Sequence, residues 1–386
     1  MKKLAIVTVL VFLLVALAAC QFLPQSAQPP APPPAANTAV PPQAAKPTQT
    51  ALPALNSPTG PPLRNLEMFT RDDGWGLISN ALLLTHNGGK DWFSVPLSQG
   101  QLDDHSPSYF LNVNTIYLVA PAPDGNGGQL YFSKNGGGTW RVTPVPFIRG
   151  QLAFIDTIGY FLQTTRTGND AMLGILFTST DNGETWVRIN PEDAQTPATS
   201  LPEAGIKTGF AFINANRGWL GIADQPQKVL IYKTENGGRD WSPQVIPVPQ
   251  NIATLVGSSL PPTFFNGDSV HGLLPVKYVS PNGSDTNLVF YSTTDSGTNW
   301  TPGDSVVDGQ AYTFLDPKTG WVWGKRGLYF TNDGAKTWQV LPVAFGRSEH
   351  ATSIDFIDVE TGWLLTADAK NRVRIYTTSD GGNTWT

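Results

Sequence analysis

The sequence has few of the residues on which catalysis and metal binding usually depend. Among 386 residues there are one Cys and four His, and charged residues make up only 14%. A single Cys excludes a disulfide framework and any Cys-rich zinc or iron–sulfur site. A formal net charge of -5 gives no basic excess of the kind that binds nucleic acid. The histidines share no metal-ligand spacing, so we expect neither a metal nor a cofactor. They are His86, His105, His271 and His350.

Glycine, proline and tryptophan are abundant instead. The chain has 38 Gly, 33 Pro and 12 Trp, and aromatic residues reach 11%. A disordered chain is poor in aromatic residues, so most of this chain is expected to fold. With one Cys, the fold must be held together by packing and hydrogen bonds.

The N-terminus has the pattern of an export signal. Lys2 and Lys3 precede a short apolar stretch, Ala5–Ala19, which is too short for a comfortable membrane span. The following Leu17–Cys20 (LAAC) resembles the lipobox of bacterial lipoproteins. That resemblance implies a signal peptide over residues 1–19 and lipidation of Cys20. Several acyl chains would hold the protein stably on the outer side of the cytoplasmic membrane or on the outer membrane.

Residues 20–62 are predicted to form a disordered tether. Gln21–Pro62 contains 13 of the 33 prolines and a single charge, Lys46. Such a segment cannot bury a core and favours extended polyproline-like conformations. Fully extended, it spans on the order of 130 Å and would hold the folded part away from the bilayer.

An eight-residue motif, Ser/Thr-x-Asp/Asn-x-Gly-x-x-Trp, occurs seven times after the tether. We call each copy a box. The Trp-to-Trp spacings are 48, 46, 55, 59, 38 and 47 residues, and Ala335 is the one departure at the Gly position. The Asp/Asn and Trp pairs are Asn87 and Trp92, Asn135 and Trp140, Asp181 and Trp186, Asn236 and Trp241, Asp295 and Trp300, Asp333 and Trp338, and Asp380 and Trp385.

The box has the chemistry of a turn between two strands. We expect the Asp or Asn side chain to accept from backbone N–H groups two residues on, as in an Asx turn. Gly supplies the positive φ that a tight hairpin requires. A second motif, an apolar strand followed by a polar turn and Gly-Trp, lies upstream in four units, with weaker versions around Tyr117, Tyr160 and Gly272. The four clear copies are Met68–Gly76, Phe212–Leu220, Phe314–Val322 and Phe356–Leu364.

Each repeat unit therefore contains four antiparallel strands, which is the blade of a β-propeller. Residues 63–386 allow about 46 residues for each of seven units. The sequence predicts an all-β fold, a seven-bladed β-propeller with four-stranded antiparallel blades. The last blade is incomplete, because Trp385 begins its fourth strand and Thr386 follows. Either residues near Ala51 to Leu55 supply an added strand or the recorded chain is truncated, and we favour truncation.

The boxes resemble the Asp-box, or bacterial neuraminidase repeat, of sialidases and related propellers. Together with the Gly-Trp motif, they look most like the photosystem II stability and assembly factor family. The resemblance covers nearly all of residues 63–386. It implies a seven-bladed, non-enzymatic propeller of a kind that helps to assemble a membrane complex. We therefore expect a monomeric binding or assembly scaffold for a protein or glycan partner.

The alternative is a cell-surface glycoside hydrolase of the sialidase type. Such a site needs three arginines, a Tyr activated by a Glu, and an Asp acid. The Phe/Tyr-Arg-Ile-Pro signature is missing before the first box, and Glu184 and Glu235 lie inside boxes. Loop carboxylates remain available, but no spacing selects a pair, so we expect no enzyme. They are Asp103, Asp104, Glu203, Asp304, Asp308 and Glu349.

The topology of a four-stranded blade separates two faces of the propeller. We call the face with the boxes and the Gly-Trp corners the turn face. We call the opposite face, with the strand 2–3 turns and the links between blades, the link face. Propeller binding sites usually lie over the channel on the link face. Several cations fall there and predict a basic patch for an anionic sugar, a peptide carboxylate or an acidic protein segment, unless they are scattered solvated charges. They are Arg149, Arg166, Lys325, Arg326, Arg347, Lys370 and Arg372.

Overall fold

Seven antiparallel sheets form the propeller that the repeats predict. The computed structural model describes residues 50–51, 63–166, 172–189, 201–202, 205–223, 228–252, 254–265, 267–341, 343 and 349–386. The signal peptide, Cys20 and the tether, apart from Thr50–Ala51, lie outside the described residues.

The first three blades contain thirteen strands. In chain order, blade 1 has β1 (Thr50–Ala51), β2 (Asn65–Met68), β3 (Asp73–Ile78), β4 (Ala81–His86) and β5 (Phe93–Val95); blade 2 has β6 (Ser108–Phe110), β7 (Ile116–Pro121), β8 (Gly128–Ser133) and β9 (Arg141–Val145); blade 3 has β10 (Gln151–Ile155), β11 (Ile158–Arg166), β12 (Met172–Ser179) and β13 (Val187–Ile189).

The other four blades contain sixteen strands, and a short 3-10 helix, Gln250–Ile252, precedes blade 5. Blade 4 has β14 (Ile206–Phe212), β15 (Gly218–Ala223), β16 (Val229–Thr234) and β17 (Ser242–Ile246); blade 5 has β18 (Val256–Ser259), β19 (Thr263–Phe265), β20 (Asp268–Val279), β21 (Thr286–Thr293) and β22 (Thr301–Val307); blade 6 has β23 (Tyr312–Phe314), β24 (Gly320–Gly324), β25 (Gly327–Thr331) and β26 (Gln339–Leu341); blade 7 has β27 (His350–Phe356), β28 (Gly362–Ala367) and β29 (Val373–Thr378).

Every box connects the third and fourth strands of its blade and contacts the turn between the first and second strands. In blade 1 the Gly88 amide donates to the Asp72 carbonyl at 2.9 Å. An equivalent bond joins the box to the first turn in each of the other six blades. The boxes and the first turns therefore share one face, the turn face.

The hydrogen bonds inside the box correct one detail of the prediction. The Asn87 side chain accepts from the Asp91 amide at 2.9 Å, which is four residues on rather than two. The Thr85 hydroxyl accepts from the Gly89 amide at 2.9 Å, also four residues on. The two-residue Asx bond occurs instead in the turn between strands 1 and 2, as from the Asn216 amide to Asn214.

The fourth and fifth residues of each box have left-handed backbone conformations. In box 3, these residues are Asn182 (φ 58) and Gly183 (φ 80), and in box 6 Ala335 has φ 64. A left-handed conformation costs a non-glycine residue about 1 to 2 kcal/mol. Ala335 is fully buried, and its amide keeps the box bond to Thr331 at 3.1 Å, so the turn survives the missing Gly.

Aromatic rings join neighbouring blades. A Trp or Tyr that opens strand 2 stacks on the Phe at the end of strand 1 in the next blade, so the corner motif fixes contacts between blades as well as within them. The stacked pairs, with centroid distances of 5.9, 3.6, 3.8, 4.8 and 3.8 Å, are Trp75–Phe110, Tyr117–Phe154, Tyr160–Phe212, Trp219–Phe264 and Trp321–Phe356.

Side chains on or beside the inner strands also bridge neighbouring blades. Each makes a hydrogen bond with the backbone of an adjacent blade, so the wall of the central channel is tied together. The bonds are Tyr109 to the Phe154 carbonyl (2.8 Å), Gln151 to the Phe210 amide (2.7 Å) and carbonyl (3.0 Å), Thr208 to the Ser259 carbonyl (2.7 Å), Gln310 to the Ala351 amide (3.1 Å), and Asp355 to the Met68 amide (2.6 Å).

The ring closes where blade 7 meets blade 1. The Trp363 indole donates to the Gly88 carbonyl at 2.9 Å, and Arg71 lies 3.3 Å from Asp358. The added strand expected near Ala51 does occur as β1, but it pairs with β5 and extends blade 1 rather than blade 7. Blade 7 has three strands, and Thr377 and Thr386 exchange two backbone hydrogen bonds of 2.9 Å at the start of a fourth.

Candidate functional site: the link face

The link face carries the described members of the predicted basic patch. Lys325 and Arg326 form the tight turn between β24 and β25, and both are exposed. Lys370 and Arg372 lie in the turn between β28 and β29, and Arg149 lies in the link from blade 2 to blade 3. The Arg166 side chain and the whole of Arg347 lie outside the described residues.

Two of these cations are paired with carboxylates, which the sequence prediction did not foresee. Arg149 lies 3.5 Å from Asp103. Arg372 lies 2.6 Å from Asp368, and the backbone N–H and guanidinium of Arg372 lower the pKa of Asp368 to about 2. Asp368 is therefore ionised at neutral pH and neutralises Arg372. The patch is consequently narrower than predicted.

Lys325 and Arg326 are the strongest part of the patch. Neither has a salt bridge within the part of the chain that the structure describes. Their turn is fixed by the pairing of Gly324 with Gly327, so the two side chains leave a short, rigid hairpin. An exposed pair of cations on a rigid turn can bind a carboxylate or a sulfate without first losing an internal partner.

Arg374, on β29 of the adjacent blade 7, is a cation that the sequence analysis missed. Its Nη1 lies 2.5 Å from Glu349 Oε1, and its side chain is 49% exposed. The signal was the alternation along β29, because residues two apart on a strand point to the same face of the sheet. Arg374 and Tyr376 are such a pair.

Glu349, a loop candidate for catalysis, is largely buried. Its carboxylate accepts hydrogen bonds from Thr366 at 2.7 Å and from Tyr376 at 3.2 Å, in addition to the contact with Arg374. Its side chain is only 5% exposed. The structure therefore brings a Tyr and a Glu together, but it also neutralises the Glu with an arginine. Glu203, the other candidate, lies outside the described residues.

The carboxyl pair with the most perturbed ionisation lies elsewhere, on the inner strands of blades 1 and 7. Burial and the charge of Asp355 raise the pKa of Glu67 to about 8. Burial also raises the pKa of Asp355 to about 6. This pair was missed in the sequence analysis because carboxylates were considered in loops, whereas Glu67 and Asp355 lie on strands. The loop carboxylates that were named there and that the structure describes are Asp103, Asp104, Asp304, Asp308 and Glu349.

Among the described residues, no three His, Cys, Asp or Glu side chains are grouped as a metal site. His86 lies 2.6 Å from Asp73 and His271 lies 2.8 Å from Asp268, so two of the histidines are paired with single carboxylates. No described helix is long and apolar enough to cross a bilayer.

The chain matches no protein-family model and no curated protein. It is similar to solved propellers. A structure of YCF48 bound to D1 peptide aligns over 86% of this chain and 94% of its own, at 16% identity and a TM-score of 0.52. YCF48 from Cyanidioschyzon merolae aligns over 86% and 98%, at 14% identity and a TM-score of 0.52. An ulvan lyase of polysaccharide lyase family PL25 aligns over 87% and 94%, at 13% identity and a TM-score of 0.44. Likeness at these identities establishes the fold alone.

Proposed function

We propose that the chain is a non-catalytic propeller that acts as a binding or assembly scaffold, with the link face as its binding surface. The observation that carries the proposal is the exposed Lys325–Arg326 turn, which has no internal counter-ion among the described residues. Arg374 on the neighbouring blade has a half-exposed side chain but is paired with Glu349, so the positive charge of this surface comes from Lys325 and Arg326. These groups favour an acidic or carboxylate-bearing segment over a basic one.

A protein segment is the partner that we favour over a glycan. A propeller of the same fold has been solved with a D1 peptide bound, which is a precedent for peptide binding on this fold. The box turns are set by backbone requirements, so they leave partner choice to loops and strand ends. We infer that the scaffold works as a monomer.

Charge reversal on one blade tests this proposal with a matched control. Lys325→Glu with Arg326→Glu reverses two charges on the link face of blade 6, whereas Lys318→Glu with Lys336→Glu reverses two exposed charges on its turn face. In a crosslinking pull-down from membranes, the first variant should lose its partner and the second should keep it. Equal capture by both variants would overturn the proposal.

We also propose that the protein is exported and anchored through Cys20, with residues 21–62 as a spacer. The support is the sequence pattern alone, because this segment lies outside the described residues. Cys20→Ala should move the protein from the membrane fraction to the soluble exported fraction and abolish labelling by palmitate. A variant that stays on the membrane would refute lipid anchoring.

Sialidase-type hydrolysis is the second candidate, and the hydrogen bond from Tyr376 to Glu349 is the observation that favours it. A Glu can activate a Tyr nucleophile, but the contact with Arg374 stabilises the carboxylate and weakens it as a base. Turnover of sialyl or other glycoside substrates that is lost in both Tyr376→Phe and Glu349→Gln would establish the enzyme. We expect no turnover in the parent chain.

A further inference from the structure

The turn-face end of the central channel holds a cavity of about 680 Å³. The inner strands of blades 2 to 5 and their first turns line it. Its volume is in the range of pockets for small molecules, which is roughly 300 to 1,000 Å³. This cavity lies at the opposite end of the channel from the Lys325–Arg326 turn.

The wall of the cavity contains several aromatic and small apolar side chains. Ala153 and Ala211 supply the space because their side chains are small, and Tyr109, Phe264 and Phe265 add partly exposed rings. The hydrogen bond from Tyr109 to the next blade keeps this ring in place. A preformed aromatic wall can bind a ligand without the entropic cost of ordering it.

Carboxylates are the only charged side chains among the described residues that line the cavity. Among the lining residues, the charged side chains are Asp156 and Asp268. Asp156 is exposed at a two-residue turn with φ 52 and makes no hydrogen bond or salt bridge within the described chain, whereas Asp268 lies 2.8 Å from His271. Burial, followed by the nearby Glu67 carboxyl on the inner strand of blade 1, raises the pKa of Tyr109, so this ring keeps its hydroxyl proton and stays neutral.

Aromatic faces and carboxylates together favour one class of ligand. The negative face of a ring attracts an organic cation, and a nearby carboxylate strengthens the attraction. The same groups repel an anion. We propose that the cavity is a binding site for an apolar organic cation, such as an aromatic molecule that carries an ammonium group. This site is additional to the link face, so the proposed function can fail without affecting it.

Two probes with the same ring and opposite charge test the proposal on the full-length chain. They are (2-naphthylmethyl)trimethylammonium and 2-naphthylacetate, titrated by calorimetry. The ammonium should bind saturably and at least about tenfold more tightly than the carboxylate, because only the cation gains from the ring faces and the rim. No saturable binding, or equal affinity for both probes, would overturn the proposal.

Two substitutions locate the binding. Ala211→Trp fills the cavity and should abolish binding of the ammonium probe. Asp156→Asn keeps a residue that tolerates a positive φ but removes the charge, and should weaken binding about threefold to tenfold.

Asp308→Asn is the matched control, because Asp308 has the same φ of 52 and is exposed in a link on the other face. It should leave binding unchanged. If Ala211→Trp fails to fold, the difference between the two Asp variants decides the question. Equal effects of these two variants would place the probe outside the cavity and refute the proposal.

Discussion

The turn face and the link face of this propeller are built on different principles. On the turn face, seven boxes repeat the same hydrogen bonds, so almost every connection there has the same backbone. On the link face, the described connections range from the two residues Lys325–Arg326 to the long link between β5 and β6. Repetition occurs where the backbone needs a particular turn, and variety occurs where a partner can be chosen.

Carboxyl groups on the inner strands, which join the two faces, should change the free energy of unfolding with pH in the opposite direction to carboxyl groups on the turn face. Because the pKa of Glu67 is raised from 4.5 to about 8, its contribution to stability is fully present below about pH 4.5 and is lost as pH rises through 8. Glu67→Gln should remove this loss, so at pH 9 the free energy of unfolding of the variant should exceed that of the parent by at most about 5 kcal/mol. Urea unfolding of the variant and the parent from pH 4 to 9 measures it.

Asp295 in box 5 provides the opposite control. The Asn299 backbone N–H and side-chain amide lower the pKa of Asp295 to about 2, so its contribution is present above about pH 4 and is lost as pH falls towards 2. Asp295→Asn should therefore change only the acidic limb. If Glu67→Gln destabilised the protein at pH 9, the assigned direction of the Glu67 pKa would be wrong.

A methyl group added to the left-handed glycine of box 3 should cost more than one added to an open left-handed glycine on the link face. At Gly183 (φ 80) a Cβ atom would lie 2.4 Å from Leu130 Cδ2, whereas at Gly125 (φ 76), in the turn between β7 and β8, nothing lies within 4 Å. Gly125→Ala should cost about 1 kcal/mol for the backbone alone, and Gly183→Ala about 2 to 4 kcal/mol because a packing clash is added. Denaturant midpoints measure both, and equal costs would contradict the packing clash expected at the box position.

The hydroxyl of a box should contribute more to the free energy of unfolding than a similar hydroxyl on the link face. Ser179 is 2% exposed and accepts from the Gly183 amide at 2.8 Å. Ser179→Ala leaves a buried N–H without an acceptor, which costs about 1 to 3 kcal/mol. Ser280, in the turn between β20 and β21, accepts from the Asp285 amide at 2.9 Å near solvent. Because water can replace that acceptor, Ser280→Ala should cost less than about 1 kcal/mol in the same unfolding assay.

The sequence predicted the fold well because each blade repeats the residues that its turns require. The seven boxes locate the third and fourth strands, and Gly-Trp locates the second, so the blade count follows from spacing alone. The predicted partner of the box Asp or Asn side chain was wrong, because the box contains two consecutive left-handed residues that lengthen the turn. In box 3 these are Asn182 and Gly183. Local patterns gave the presence of a turn but not its exact hydrogen bonds.

The candidate site was predicted less completely, because it depends on contacts between residues distant in sequence. The position of Arg149 on the link face follows from topology, but its pairing with Asp103, 46 residues away, does not. The electrostatic interaction of Glu67 with Asp355 requires closure of the ring, which brings the first blade in the sequence against the last. No repeat encodes these contacts, since each occurs once.

The smallest expected effect separates fold from binding most directly. Asp368 on the link face accepts from the Arg372 amide at 3.0 Å and also pairs with the guanidinium of Arg372. Asp368→Asn preserves an acceptor for the amide but releases the guanidinium, so the link face gains about one positive charge. Binding of an acidic partner should strengthen by a few-fold, corresponding to less than about 1 kcal/mol for an exposed charge.

Asp295→Asn is the control on the turn face. Asp295 also accepts a hydrogen bond from the amide four residues on, and the substitution also removes one negative charge. It should leave partner binding unchanged. Quantitative pull-down at two salt concentrations distinguishes these outcomes, since the gain from Asp368→Asn should shrink at high salt. Equal strengthening by both variants would mean that net charge, rather than the link face, determines binding.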